Sequence, residues 1–156
     1  MKKEIYLLIM VICAITTTPM LTSCEKDDEP TYTYSYWDRL KAVKVIPETT
    51  SVTIIPTAQG EGVVLSPNKA DLEDFENLGL EKLWDLNNFD SNSEYRIGDV
   101  RCRCNWGGGL IFNNLQPNAI YYYRVIAMAT STVGDDITEY KIIYGDIYSF
   151  TTLPEE

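Results

Sequence analysis

A chain of 156 residues with 45% hydrophobic content carries enough apolar material for one globular domain and too little length for a comfortable second one. Its 23 acidic against 13 basic residues give a formal net charge of −10, which repels a phosphate backbone and excludes nucleic acid as a partner. The chain has no histidine, which excludes Ser-His-Asp and Cys-His nucleophile systems and histidine-ligated metals, and leaves carboxylate chemistry as the surviving catalytic option.

At the N-terminus, Lys2 and Lys3 lead into an apolar run from Ile5 to Ile15. A spanning helix needs roughly 20 apolar residues, and this run gives way early to Thr16-Thr17-Thr18-Pro19. Leu21-Thr22-Ser23-Cys24 follows, with a small residue directly before a cysteine. The segment resembles the lipobox of bacterial lipoprotein signal peptides, whereas an ordinary secretory signal requires no cysteine at the cut. The resemblance implies cleavage before Cys24, acyl chains on its thiol and new amine, and stable anchoring of the mature chain by lipid. Residues 1–23 would then be the signal peptide and 24–39 a lipidated acidic tether with an aromatic arm. Glu25-Lys26-Asp27-Asp28-Glu29-Pro30 is dense in charge and cannot pack, so it reads as solvated tether. It also resembles the export signal that follows the cysteine in many Bacteroidota lipoproteins, which implies the outer face of the outer membrane. Loss of Lys2, Lys3 and Glu4 leaves 11 basic and 22 acidic residues, a net of −11.

Thr31 to Trp37 alternates, with Tyr32, Tyr34 and Tyr36 on one face if extended, and reads as a strand or arm packed on the domain ahead of an aromatic contact strip. Lys41 to Ile46 and Ser51 to Ile55 read as strands separated by Pro47-Glu48-Thr49-Thr50, and Gly62 to Ser66 as a third. Between residues 69 and 89, Leu72, Phe75, Leu78, Leu80, Leu83, Trp84 and Leu86 recur near helical spacing, with Gly79 as a stop. This predicts two short helices, or one broken one, laid over the sheet. Tyr95 to Cys104 alternates as a strand, Leu110 to Leu115 as another, and Tyr121 to Met128 is the clearest strand in the chain. Gly134-Asp135 marks a hairpin turn, Glu139 to Tyr144 returns, and Asp146 to Thr152 closes the domain. Short strands with regular turn signals argue a β-sandwich.

Leu115-Gln116-Pro117-Asn118-Ala119-Ile120-Tyr121 and the strand after it resemble the corner and penultimate strand of fibronectin type III domains. In that family a leucine, a proline two residues on and a tyrosine six residues on form the tyrosine corner, the hydroxyl bonding to backbone. The resemblance assigns Leu115, Pro117 and Tyr121 to this corner. It turns Tyr121, Tyr123, Val125 and Ala127 inward, and Tyr122, Arg124, Ile126 and Met128 outward. Tyr144 to Thr152 resembles the last strand of such domains in Bacteroidota surface proteins, and residues 48–54 and 62–68 more loosely resemble earlier ones. The expected fold is therefore mostly β, an immunoglobulin-like or fibronectin type III β-sandwich over 40–153 with a short helical insert at 69–109. The insert is longer than the usual middle strands, and Ile54 and Ile55 stand where animal members carry a tryptophan.

The family implies binding, spacing or adhesion rather than catalysis. Cys102 and Cys104 read as two small buried residues, ahead of a strained bridge; two thiolates without histidine make a poor zinc site. No metal and no cofactor is expected. Asp135 and Asp136 in a turn are a weak calcium candidate. Trp37, Trp84, Trp106 and Tyr122 are the candidates for stacking on a glycan, each weighed against core packing. Tyr122, Ile126 and Met128 make an apolar outward face that is either covered by the helical insert or a partner surface. The expected function is a non-catalytic cell-surface lipoprotein acting as a binding, adhesion or assembly module. Its expected partners are the membrane, through the lipid, and an unidentified protein or glycan. The alternatives are a glycan-capturing lipoprotein serving carbohydrate uptake and, more remotely, a carboxylate-based glycoside hydrolase.

Overall fold

A computed structural model describes residues 32–33, 40–58, 60–79, 93–104, 107–133 and 136–156. Leu21, Thr22, Ser23 and Cys24 lie outside these residues, as do Trp37, Trp84, Trp106 and Asp135. The described chain is mostly β, in two antiparallel sheets with one short α-helix. Among the described residues no helix is long and apolar enough to cross a membrane.

The smaller sheet holds three strands, β2 (Ala42–Pro47), β3 (Ser51–Pro56) and β7 (Leu110–Asn113), with β3 in the middle. Alternation fixes its register: Val45 lies opposite Ile54, and Val52 opposite Phe112, with Val52, Ile54 and Phe112 completely buried. The larger sheet is built on β8 (Ile120–Val133), a 14-residue strand. One edge of β8 pairs with β4 (Gly62–Ser66) over Tyr122–Ile126 and then with β1 (Tyr32–Thr33) at Thr130–Ser131. The other edge pairs with β10 (Tyr148–Thr151) and β9 (Asp136–Tyr144). Beyond β4 the sheet continues through β6 (Val100–Cys104) to β5 (Glu94–Ile97).

The sheets close on a shared core of Val52, Ile54, Leu110 and Phe112 from one side and Val63, Leu65, Tyr121, Tyr123, Val125 and Ala127 from the other. Cross-strand ring pairs extend it toward the β10 edge: Tyr121 stacks on Phe150 at 5.9 Å and Tyr123 on Tyr148 at 5.7 Å. Gly145 separates β9 from β10 where the backbone passes Leu40; a Cβ there would fall 1.8 Å from the Leu40 carbonyl oxygen, so no other residue fits without moving backbone.

Five expected strands appear within two residues of their predicted ends, Gly62–Ser66 with the expected bounds. The strand expected at Tyr121 to Met128 instead runs on to Val133, and the one expected from Glu139 starts at Asp136, because the two pair with each other through the residues flanking the expected Gly134-Asp135 turn. Two further expectations need correction. Tyr95 to Cys104 is not one strand but a tight hairpin, β5 and β6 turning at Gly98-Asp99 with Ile97 opposite Val100. The helical stretch contributes only α1 (Lys69–Glu73) and a 3-10 turn (Phe75–Leu78) ended by Gly79 (φ 64°); its second half lies outside the described residues.

The corner before β8 is held by several hydrogen bonds. Leu115 is buried, its N–H donating to the Thr50 carbonyl (2.9 Å), and the Tyr121 hydroxyl accepts from the Gln116 N–H (2.9 Å). Thr152 is 2% exposed; its hydroxyl donates to the Gln116 carbonyl (2.7 Å) and accepts from the Ala119 N–H (2.9 Å). Removing the tyrosine hydroxyl strips the Gln116 N–H of its acceptor. Tyr121→Phe should therefore lower unfolding free energy by about 1–2 kcal/mol in urea titrations; unchanged stability would show that water replaces the bond.

Candidate functional site

The outward face of β8 is the first place to look, because the sequence makes it apolar. Ile126 is completely buried there, in a second cluster with Val64, Val100, Cys102, Cys104, Ile142 and Leu72 of α1. Tyr122 is half-buried and packs against the same cluster, and Met128 is half-buried. Leu72 of the helical insert thus belongs to the cluster that buries Ile126, and Tyr122 takes part in packing rather than standing free.

Arg124 fastens this cover. Its Nε donates to the Gly145 carbonyl and its Nη1 to the Leu72 carbonyl, both at 2.8 Å. Its guanidinium lies 4.0 Å from the Tyr144 ring centre. Burial pulls its pKa below the ordinary arginine value, while Tyr144 and Asp146 act in the opposite direction. The geometry uses the planar fork and stacking that distinguish arginine from lysine. Sequence alternation placed Arg124 outward but gave no sign that it would bridge strand, helix and the Gly145 bend.

The insert starts at a polar knot. The Asn68 side chain caps α1 by accepting from the Ala70 N–H (3.2 Å), and Asn68 Nδ2 donates to Asp71 (3.1 Å). The Ser66 hydroxyl donates to Asp71 (2.7 Å) and accepts from the Asn68 N–H (3.0 Å). The sequence patterns placed Ser66 and Asn68 at a strand exit and Asp71 among the acidic residues of the helical stretch without the capping role, although Asn followed three residues on by Asp is a variant of the capping-box signal. An acidic cleft of about 330 Å³ lies between this insert and the β5–β6 turn, lined by Asp71, Asp74, Asn77, Leu78, Gly98 and Asp99 among others. Asp71 is committed to the cap, and Asp74 accepts from the Asn77 amide. Among the described residues, no group of three or more His, Cys, Asp or Glu side chains could hold a metal. Asp136 opens β9 beside Asp135, which lies outside the described residues.

Two carboxylates outside the cleft, Glu61 and Glu94, are engaged. Glu61 is buried and accepts from the Ala58 N–H (3.0 Å). Glu94 takes a two-pronged pair of bonds from Arg101 (2.9 and 2.6 Å) and a further one from Arg96 (2.9 Å). Burial alone would push the Glu94 carboxyl up, but Arg101 and then Arg96 outweigh it and hold it below the ordinary 4.5. Arg101 and Arg103 lie opposite the inward Leu65 and Val63 and so point to the inner side of the larger sheet, toward β7. Arg101 lies 5.5 Å from the Phe112 ring centre, and Arg103 donates to the Ile111 carbonyl.

Cys102 and Cys104 are consequently on the outer side, both free and both buried. Cys104 packs where Gly62 leaves room: a Cβ on Gly62 would come within 2.3 Å of its sulfur. Burial, with Cys102 beside it, pushes the Cys104 thiol far up, the opposite of an activated nucleophile.

Replacing Arg124 by methionine leaves two carbonyls without their charged donor and should cost about 2–3 kcal/mol of stability, with lysine recovering only part of it. The readout is urea unfolding together with limited proteolysis at 69–79; equal stability of all three forms would contradict the bracing role. Both internal thiols should resist maleimide in the native protein and both should react after unfolding without reductant, as counted by mass spectrometry; failure to react without reductant would reveal a bridge. Comparisons with protein-family models, with curated proteins and with solved structures give no match to this chain.

Proposed function

We propose that this chain is a non-catalytic lipoprotein of the outer membrane, displayed on the cell exterior, whose fibronectin type III-like sandwich serves as a binding, adhesion or assembly module. The observation that carries the reading is Leu21-Thr22-Ser23-Cys24 behind a charged start and an apolar run, followed directly by the charged stretch Glu25 to Glu29. The fibronectin-type assignment is supported by the Tyr121–Gln116 hydrogen bond in the corner and by the three-stranded sheet packed across from β4 and β8. It departs from the family in the helical insert and β5–β6 hairpin placed between β4 and β7. Coverage of Ile126 moves the search for a partner surface away from the outward face of β8.

The test is protease shaving of intact cells making a C-terminally tagged protein, with lysed cells and Cys24→Ala as controls. Loss of the tag on intact cells, with an acylated N-terminal Cys24 peptide by mass spectrometry and an unacylated precursor for Cys24→Ala, is the expected result. Protection until lysis would sink outward display, and a wild-type Cys24 peptide without acyl chains would sink the lipid anchor.

A further inference from the structure

One edge of the larger sheet is formed by a strand whose charges are complementary to its own. Among the described residues β9 pairs with β8 alone, and the ladder is regular from Glu139, opposite Ser131, to Tyr144, opposite Ile126. A strand at a sheet edge carries a row of backbone N–H and C=O groups on which a further strand can build. Tyr140 is the midpoint of the nine residues of β9, with an acid, Glu139, on one side and a base, Lys141, on the other. All three side chains are exposed, Tyr140 at 51%. By alternation Glu139 and Lys141 share the face of Ile143, which belongs to the inner core, and Tyr140 lies on the opposite face.

A lysine at a sheet edge ordinarily discourages pairing, because the strand laid beside it leaves the charge unanswered. A second β9, laid antiparallel about a two-fold axis through Tyr140, answers it. Glu139 of each copy then lies opposite Lys141 of the other, on one face, and the two Tyr140 rings lie opposite each other on the reverse face. Moving the axis one residue either way sets Glu139 against Glu139 or Lys141 against Lys141, so the charges select the register centred on Tyr140. In that register Asp136 to Tyr144 overlaps its copy from end to end. The formal net charge of −10 on each chain opposes association at a distance, but Glu139-Tyr140-Lys141 is itself neutral, so the centre of the contact adds no repulsion.

We infer that β9 is a homodimerisation edge, on which a second copy of this chain adds its own β9 antiparallel about Tyr140 and joins the two larger sheets into one. The contact is isologous, each pair of opposed residues occurring twice. It does not depend on the lipid anchor at Cys24, and it gives the assembly role a partner.

The experiment uses the full chain in the cells that make it, oxidised with copper phenanthroline and air, with dimers read on non-reducing gels. Tyr140→Cys, placed opposite itself, should form a disulfide-linked homodimer severalfold above the unsubstituted chain, whose Cys102 and Cys104 are buried. Glu139→Cys and Lys141→Cys, made together under different tags, should cross-link to each other severalfold more than either does to itself. Lys141→Glu added to Tyr140→Cys should cut the homodimer severalfold, and Glu139→Lys added to that pair should restore it, a rescue that a misfolded chain would not show. Absence of the Tyr140→Cys homodimer, equal self-linking at residues 139, 140 and 141, or indifference to the charge changes overturns the pairing. A Tyr140→Cys adduct with a different protein, without homodimer, gives the edge to a foreign strand and overturns it as well.

Discussion

Burial of both faces of β8 is the constraint on which the rest of the structure depends. A strand alternates its side chains, so one apolar face calls for one covering layer and two apolar faces call for two. Tyr121, Tyr123, Val125 and Ala127 meet the three-stranded sheet, while Ile126 on the reverse joins a cluster with Leu72 and the cysteine-bearing β6. Fully burying one such aliphatic side chain stabilises by about 1.5–3 kcal/mol. The short helix, too small to hold together alone, exists because it covers this reverse face.

The two layers are fastened differently. The inner one relies on interdigitated aliphatic side chains and stacked rings at the β10 edge. The outer one is thin, and polar devices supplement its few apolar contacts: the Ser66–Asn68–Asp71 knot at the start of the helix and the Arg124 fork at its end. At the margin of the inner layer, on the inner side of β6, Arg101 lies over Phe112 and Arg103 bonds the Ile111 carbonyl, while Glu94 neutralises the charge of Arg101.

The strands with clean alternation and strong punctuation were legible in the sequence: Gly62–Ser66 between two turn segments, and β8 with its inward tyrosines. The corner was legible because its leucine, proline and tyrosine have fixed spacing. The Gly98-Asp99 turn was not, because a two-residue hairpin barely interrupts a period of two, and Tyr95 to Cys104 reads continuously through it. The direction in which Arg101-Cys102-Arg103-Cys104 faces was hidden as well. Polarity suggests cysteines toward the sandwich and arginines toward water; the narrow second sheet and the helical cover reverse both. Of the candidate contact residues, Tyr122 is half-buried against the outer cluster, while Trp37, Trp84 and Trp106 fall outside the described residues.

Because Ile126 and Val125 are neighbours on one backbone and belong to opposite clusters, the two layers share a single register. Lifting the helix uncovers Ile126 and releases Arg124 from the Leu72 carbonyl, while loss of the inner packing frees the same strand from the other side. Local opening of the insert is thereby coupled to the stability of the sandwich, so helix and sheets form one cooperative foldon rather than a rigid body carrying a hinged lid.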